Sequence, residues 1–350
     1  MKAAIFNPYL DTLGGGERYS ISFAKTLKEK GYEVFVQWKD SSIKEKLEKR
    51  FGISLSDINF ISDIKRGDGY DLCFWVSDGS IPALKARKNY LHFQVPFKDI
   101  KGKSLINKMK LFRINKIICN SEFTKKVIDK EYGVESMVIY PPVPVEELKP
   151  LKKEKLILFV GRFSQLKQSK RQDILIDGFK KFYNKGHEDW KLVLVGGTEV
   201  GVGDYLDKLK EKVIGFPIDF FDSPDFKSLK MLYGKAKFFW SASGFNVDEE
   251  KNPEMVEHFG ITLVEAMSAG AIPIAFNAGG HKEIITNGID GFLWNSVHEL
   301  VNITSDLVDT DSSKLKLIST KAIKKASSFS ELKFKEAIES SCLEYYKQLK

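Results

Sequence analysis

The chain has 350 residues, 43% hydrophobic and 29% charged, a balance that excludes a disordered or fibrous protein and has room for two globular domains. Its 55 Lys and Arg against 47 Asp and Glu give a net charge of +8, which favours an anionic partner (nucleotide, nucleic acid or lipid surface) without choosing among them. No apolar run is long enough to cross a bilayer and the start MKAAIFNPYLD lacks a signal-peptide core, so the expected location is the cytoplasm.

The opening stretch reads as a strand, Lys2 to Phe6, a turn-rich segment ending in Gly14, Gly15 and Gly16, and a helix from Tyr19 through Leu27. Glycines there can bring backbone close to a ligand or simply make a tight connection. In the G-x-G-x-x-G register the third glycine falls on Tyr19, which disfavours a dinucleotide fingerprint. Further strands are expected at Glu33–Gln37, Asp71–Val76, Asn89–Phe93, Lys116–Cys119 and Ser136–Ile139, with a helix at Glu122–Glu131 capped by Asn120-Ser121. Alternating strands and helices imply a mainly parallel α/β sheet covered on both faces, with ligands at the carboxyl ends of its strands. His92, in NYLHFQVPF, stands at such an end, where it is either a ligand contact or a satisfied core histidine. From Lys98 to Lys116 seven cations meet the single acid Asp99, while Leu105, Ile106, Met109 and Phe112 recur at helical spacing. This is either a helix whose apolar stripe enters the core or a basic amphipathic helix on an anionic membrane surface, which would make the acceptor lipid-linked.

YPPVPVEELKPLKKEK, from Tyr140 to Lys155, marks a domain boundary, and the alternation restarts beyond it. Strand Leu156–Val160 ends in Gly161-Arg162, and after a polar loop Lys170 introduces the helix RQDILIDGF. Arg offers phosphate oxygens a planar fork and Lys a compact charge, so Arg162 and Lys170 together suit a diphosphate, with Lys167 as a rival to Lys170. Strands Lys191–Val195, Ile218–Phe221 and Lys237–Trp240 and the helix Phe226–Tyr233 follow, then the acidic loop SASGFNVDEEKNPEM, a candidate wall of a sugar pocket. Asn252 to Gly270 carries Glu257 and Glu265 around the turn-forming Gly260. Glu265 lies in the apolar run ITLVEAMSA, and a carboxylate there requires a partner hydroxyl or cation. A helix starting near Gly260 or Ile261 would turn the unpaired N–H groups of Phe259, Gly260, Ile261 and Thr262 and its positive dipole end towards a phosphate or polyhydroxyl ligand. Gly279-Gly280 and Glu283 stand after strand Ala271–Phe276, and a last helix is expected over Glu331–Leu349. Cys73, Cys119 and Cys342 show no metal-ligand spacing, no metal cluster is evident, and no nucleic-acid recognition motif accompanies the basic charge.

EHFGITLVEAMSAGAIPIAFNAGGHKEIITNGIDGFLW resembles the donor-site signature of family 4 retaining glycosyltransferases, and the likeness extends to LGGGERYSISFAKTLKEKGYEVFV, ICNSEFTKKVI, YPPV and LILFVGRFSQLKQSKRQDILIDGF. The Tyr-x-His of NYLHFQVPF is similar to the lipid-linked-oligosaccharide mannosyltransferases, although Pro96 comes later than in their pattern. The resemblance implies a GT-B fold: Rossmann-like domains at 1–145 and 150–328 facing each other across a cleft, with 329–350 as a helix crossing back to the first. It implies a metal-independent, cofactor-free enzyme that moves a sugar, with retention of configuration, from a UDP- or GDP-sugar to a hydroxyl of a glycan or glycolipid. Gly15 and Gly16 would lie near the donor phosphates, His92 would face the transferred sugar, and Arg162 and Lys170 would stabilise the diphosphate. The usual spacing of that pair is shorter; Lys170 is preferred because DILIDGF follows it in register. Glu257 would hold hydroxyls of the donor sugar and Glu265 the ribose. A GT-B phosphorylase, a nucleotide-sugar synthase or a non-catalytic binding relative is the alternative.

Overall fold

The computed structural model describes residues 1–164, 168–197 and 203–343, so Lys167 lies outside the described residues. The chain divides into two compact units, Met1–Pro142 with the stretch from Glu331 onward, and Val143–Ser330.

The first unit is built on strands β1 Lys2–Phe6, β2 Glu33–Gln37, β3 Asn59–Ile61, β4 Leu72–Val76, β5 Lys88–Phe93, β6 Lys116–Cys119 and β7 Met137–Val138. They pair in parallel in the order β3-β2-β1-β4-β5-β6-β7. The central strands are apolar on both faces because helices and loops cover both, and Ala3, Ala4, Ile5, Leu72, Cys73 and Phe74 are fully buried. β3 was not expected: NFI is a three-residue edge strand with no alternation to announce it. The first helix runs Gly15–Glu29, so Gly15 and Gly16 form its first turn instead of the preceding loop. Glu17 explains the earlier start. Its carboxylate accepts from the Gly14 N–H at 2.7 Å and the Thr12 hydroxyl at 2.8 Å, supplying the cap that glycine lacks. The helix Glu331–Ile338 and the turn Glu339–Leu343 pack on this same unit. There Arg18 pairs with Glu331 at 2.5 Å, and the Tyr90 hydroxyl donates to the Cys342 carbonyl at 2.6 Å. The remainder of the helix expected to Leu349 lies outside the described residues.

The second unit uses β8 Glu154–Val160, β9 Lys191–Gly196, β10 Ile218–Asp222, β11 Ala236–Ser241, β12 Ile272–Phe276 and β13 Phe292–Trp294. These are parallel too, in the order β10-β9-β8-β11-β12-β13. Its core joins Trp190, Trp240 and Trp294 to Phe179, Phe182 and Phe238, and the helix Gln172–Tyr183 contributes Leu175, Ile176, Phe179 and Phe182 from one face. In both sheets the strand order reverses in the middle, between β1 and β4 and between β8 and β11. Loops leaving neighbouring strands diverge at such a reversal and open a crevice at their carboxyl ends, the usual place for a ligand in this kind of sheet.

Among the described residues no helix is long and apolar enough to cross a membrane. The basic stretch is helical only over Leu105–Leu111, and Leu105, Ile106, Met109 and Phe112 are 66–93% exposed, so its apolar stripe does not enter the core. All three cysteines are buried, and burial pushes each thiol up to about 12.

Candidate active site

At the reversal of the second sheet, β8 delivers Gly161 and Arg162 and β11 delivers Ser241. The turn after β8 is held closely. Gly161 N–H donates to the Val195 carbonyl at 2.8 Å and Phe163 N–H to Gly197 at 3.0 Å, while the buried Gln172 side chain donates to the Arg162 carbonyl at 2.8 Å. Gly196 is needed for this approach: a Cβ there would lie 2.1 Å from the Gly161 oxygen. Arg162 is exposed on this fixed backbone. A Cβ on Gly161 would stand 3.2 Å from Lys170 Cγ, so the lysine stem runs past the same turn.

Lys170 Nζ donates to Glu257 Oε2 at 2.7 Å, across 87 residues of sequence, and both side chains are 16% exposed. Gln168 fastens the lysine loop to the same segment by donating to the Val256 carbonyl at 3.1 Å. Burial alone would raise the Glu257 pKa. The Lys170 ammonium overrides it, with His281 and His258 acting in the same direction, and holds the carboxyl at about 2. Glu257 is therefore an ionised acceptor at neutral pH.

The backbone around Glu257 depends on glycines. Gly280 N–H donates to the Glu257 carbonyl at 2.8 Å, and a Cβ on Gly279 would lie 2.2 Å from that oxygen, so the turn after β12 presses directly on the acid's main chain. Gly260, at φ 117, makes the bend from which the helix Ile261–Ser268 starts. The first amides of that helix, at Ile261 and Thr262, have no intrahelical acceptor by the geometry of any helix start. Phe259 is buried against Phe329, with ring centroids 5.2 Å apart. Glu265, one turn further, accepts from the Tyr233 hydroxyl at 2.7 Å, which is the partner its apolar surroundings demanded.

His281 and Ser241 were not singled out, although Ser241 opens the acidic loop and His281 lies in the stretch that carries the family resemblance. His281 is buried at the start of the short helix His281–Ile284, with Nδ1 2.9 Å from the Phe276 carbonyl and Nε2 3.2 Å from Ser241 Oγ. A carbonyl only accepts, so Nδ1 carries the proton and Nε2 accepts from the serine hydroxyl. Burial lowers its pKa against the opposing pull of Glu257. A Cβ on Gly260 would be 3.6 Å from both Glu257 Cγ and His281 Cδ2, so acid and imidazole flank the same glycine. The signal in sequence was there: Ser241 ends one central strand and His281 follows the next. The acidic loop contributes Glu249, which accepts from Gly279 N–H at 2.7 Å and pairs with Lys282, so this acid holds the glycine turn.

Three expected residues belong to the first unit. Gly16 lies against Gln94, and a Cβ would fall 1.6 Å from the amide oxygen. Gly15 starts a helix whose end is already met by Glu17. His92, expected to face the transferred sugar, lies within the core of the first unit. It is fully buried, stacks on Tyr19 with centroids 4.1 Å apart, and directs Nδ1 to the Ile118 carbonyl at 3.1 Å. The side-chain alternation of β5 explains this, since His92 shares a face with Tyr90 towards the first helix. Burial holds its pKa down at about 3, so it is neutral.

The model of the family described as glycosyl transferases group 1 matches residues 145–322, just over half of the chain. The chain belongs to this family. Among its curated relatives, the GDP-Man:Man(3)GlcNAc(2)-PP-Dol alpha-1,2-mannosyltransferase of Dictyostelium discoideum is 28% identical over 191 residues, which is 51% of this chain and 36% of that protein. The human protein of the same name is 28% identical over 225 residues, 60% of this chain and 44% of that one. The matches thus span less than half the length of these two relatives. Among solved structures, HepE of Anabaena in complex with UDP superposes with a TM-score of 0.77 at 19% identity, over 97% of this chain and 99% of that one. At that identity the likeness shows the fold, which is GT-B. The group 1 match covers most of the second unit, and so contains Arg162, Lys170, Glu257, Glu265 and His281 together.

Proposed function

We propose that this group 1 glycosyltransferase moves a hexosyl group from a nucleotide diphosphate sugar to a hydroxyl of a glycan or lipid-linked acceptor, with retention of configuration and without a metal ion. The observation that carries this is the Lys170–Glu257 ion pair beside the Gly161–Arg162 turn, at the carboxyl ends of the central strands of the second sheet. Breaking the bond at the sugar C1 moves negative charge onto the diphosphate. Fixed cations aimed at those oxygens therefore favour the transition state over the ground state. Lys170 is held in place by Glu257, and Arg162 stands on backbone pinned by Gln172. The N-terminal amides of the helix Ile261–Ser268 add donors of the same sign. Glu257, kept ionised, accepts from hydroxyls of the donor sugar, and Glu265, oriented by Tyr233, takes the ribose.

The names of the relatives make GDP-mannose the first donor to try, and the UDP complex of HepE makes UDP-glucose the second. The test incubates the full chain with each donor and a panel of glycan and polyprenyl-linked acceptors, with and without EDTA. Proton NMR then reads the anomeric coupling of the product. Product with the donor's configuration, unaffected by EDTA, is expected. Arg162→Ala should lower kcat/KM about a hundredfold, the size of one lost oxyanion donor. Inversion of configuration, or activity that vanishes with EDTA, would overturn the mechanism.

A further inference from the structure

The helix Leu105–Leu111 is amphipathic in the wrong sense for a globular core. At about 100° per residue, Leu105, Ile106, Met109 and Phe112 share one arc of the helix, flanked by Lys108 on one side and by Lys110 on the other. That arc faces away from the protein: the four side chains are 75%, 66%, 69% and 93% exposed. The opposite side carries the packing, with Leu111 and the following Ile114 set against the cluster of Ile81, Leu91 and Phe93.

The mount is fixed. The Glu131 carboxylate accepts from the N–H groups of Asp99, Ile100 and Gly102 at 3.1, 3.2 and 3.0 Å, which ties the entering loop to the helix Glu122–Tyr132. Gly102 allows the approach, because a Cβ would sit 2.7 Å from the Glu131 carbonyl. Ser104 caps the helix by accepting from Asn107 N–H at 3.3 Å. Beside it a cavity of about 320 Å³ has Arg66 and Lys110 in its lining against Trp75, continuing the cationic rim.

We infer that this helix docks the first unit on an anionic lipid bilayer, Leu105, Ile106, Met109 and Phe112 entering the acyl boundary while Lys108, Lys110 and Arg66 meet the headgroups. The charge identifies the occupant. Seven cations and one acid between Lys98 and Lys116 would repel the same face of a second copy, whereas an anionic surface attracts them. The inference stands on this face alone and does not depend on the chain transferring a sugar.

The full chain is floated with phosphatidylcholine vesicles and with vesicles that also contain phosphatidylglycerol, alongside light scattering of the protein without lipid. The wild type should float only with the anionic vesicles, and less so at high salt. Met109→Ser combined with Phe112→Ser should lower partitioning at least about tenfold. Lys108→Glu should lower it at least about fivefold. Both should keep the wild-type Tm, since the residues replaced are exposed. No flotation of the wild type, or equal flotation of the apolar double variant, would overturn the inference. So would a wild-type dimer that Phe112→Ser dissociates, which would assign the face to a second copy.

Discussion

Replacing Lys170 by methionine removes the cation that keeps Glu257 ionised while leaving the carboxylate 16% exposed. In the folded chain that carboxyl is held at about 2 instead of 4.5, a difference of roughly 2.5 pH units. At about 1.4 kcal/mol per unit, this corresponds to about 3–4 kcal/mol of stability. Because the folded pKa is the lower one, that stability is fully present above about 4.5 and is lost as the pH falls towards 2. The assay is urea denaturation followed by tryptophan fluorescence, to which Trp190, Trp240 and Trp294 of the second unit contribute. Wild type, Lys170→Met, Glu257→Gln and the double variant form a cycle. At pH 7, Lys170→Met should lose about 3–4 kcal/mol, and the double variant should lose far less than the two single losses added together. With the lysine gone, only His281 and His258 still oppose burial, so Glu257 should titrate higher than in the wild type and Lys170→Met should lose less stability on acidification than the wild type does. Single losses that add within about 0.5 kcal/mol would refute the coupling on which the site is built.

Other residues give sharper local tests. Tyr233→Phe removes the hydroxyl that orients Glu265, and nucleotide affinity in calorimetry should fall about tenfold, the scale of a hydrogen bond to a charged group. Gly16→Ala drives a methyl into the end of the flexible Gln94 side chain, which must swing aside, and should destabilise the first unit by less than about 1 kcal/mol in thermal unfolding. The same change in a Gln94→Ala background should be neutral or stabilising, because alanine favours a helix. Burial keeps His92 neutral down to about 3 whereas the unfolded chain takes up its proton near 6.5. His92 therefore contributes stability that is complete above about 6.5 and falls as the pH drops from 6.5 to 3. His92→Phe should flatten that fall in urea titrations.

Much of the fold was legible because the physics is local. Runs such as LILFV and KLVLV, apolar without alternation, mean strands covered on both faces, and the helices between them mean parallel pairing. What escaped was short or set by tertiary contacts. β3 and β13 are three-residue edge strands, and the first helix begins at Gly15 only because Glu17 folds back to cap Gly14. Glu265 announced its need for a partner through its apolar neighbours, but nothing nearby in sequence named Tyr233. His92 and His281 show the same limit from opposite sides. Both stand at strand ends, yet which one lies in a sheet core and which flanks an acid depends on the face each strand presents and on glycine turns far along the chain. The basic helix left its alternatives open for a third reason, since helical spacing of Leu105, Met109 and Phe112 fixes an apolar arc but not the direction in which it points.

The claim that everything else serves is that the second unit grips a nucleotide diphosphate sugar. Calorimetric titration of the full chain with GDP-mannose, UDP-glucose and the free diphosphates tests it most directly, with Arg162→Ala and Glu265→Gln in parallel. One donor series should bind at a single site, weakened about tenfold or more in either variant. Heats indistinguishable from dilution for every nucleotide, or wild-type affinity in both variants, would contradict it.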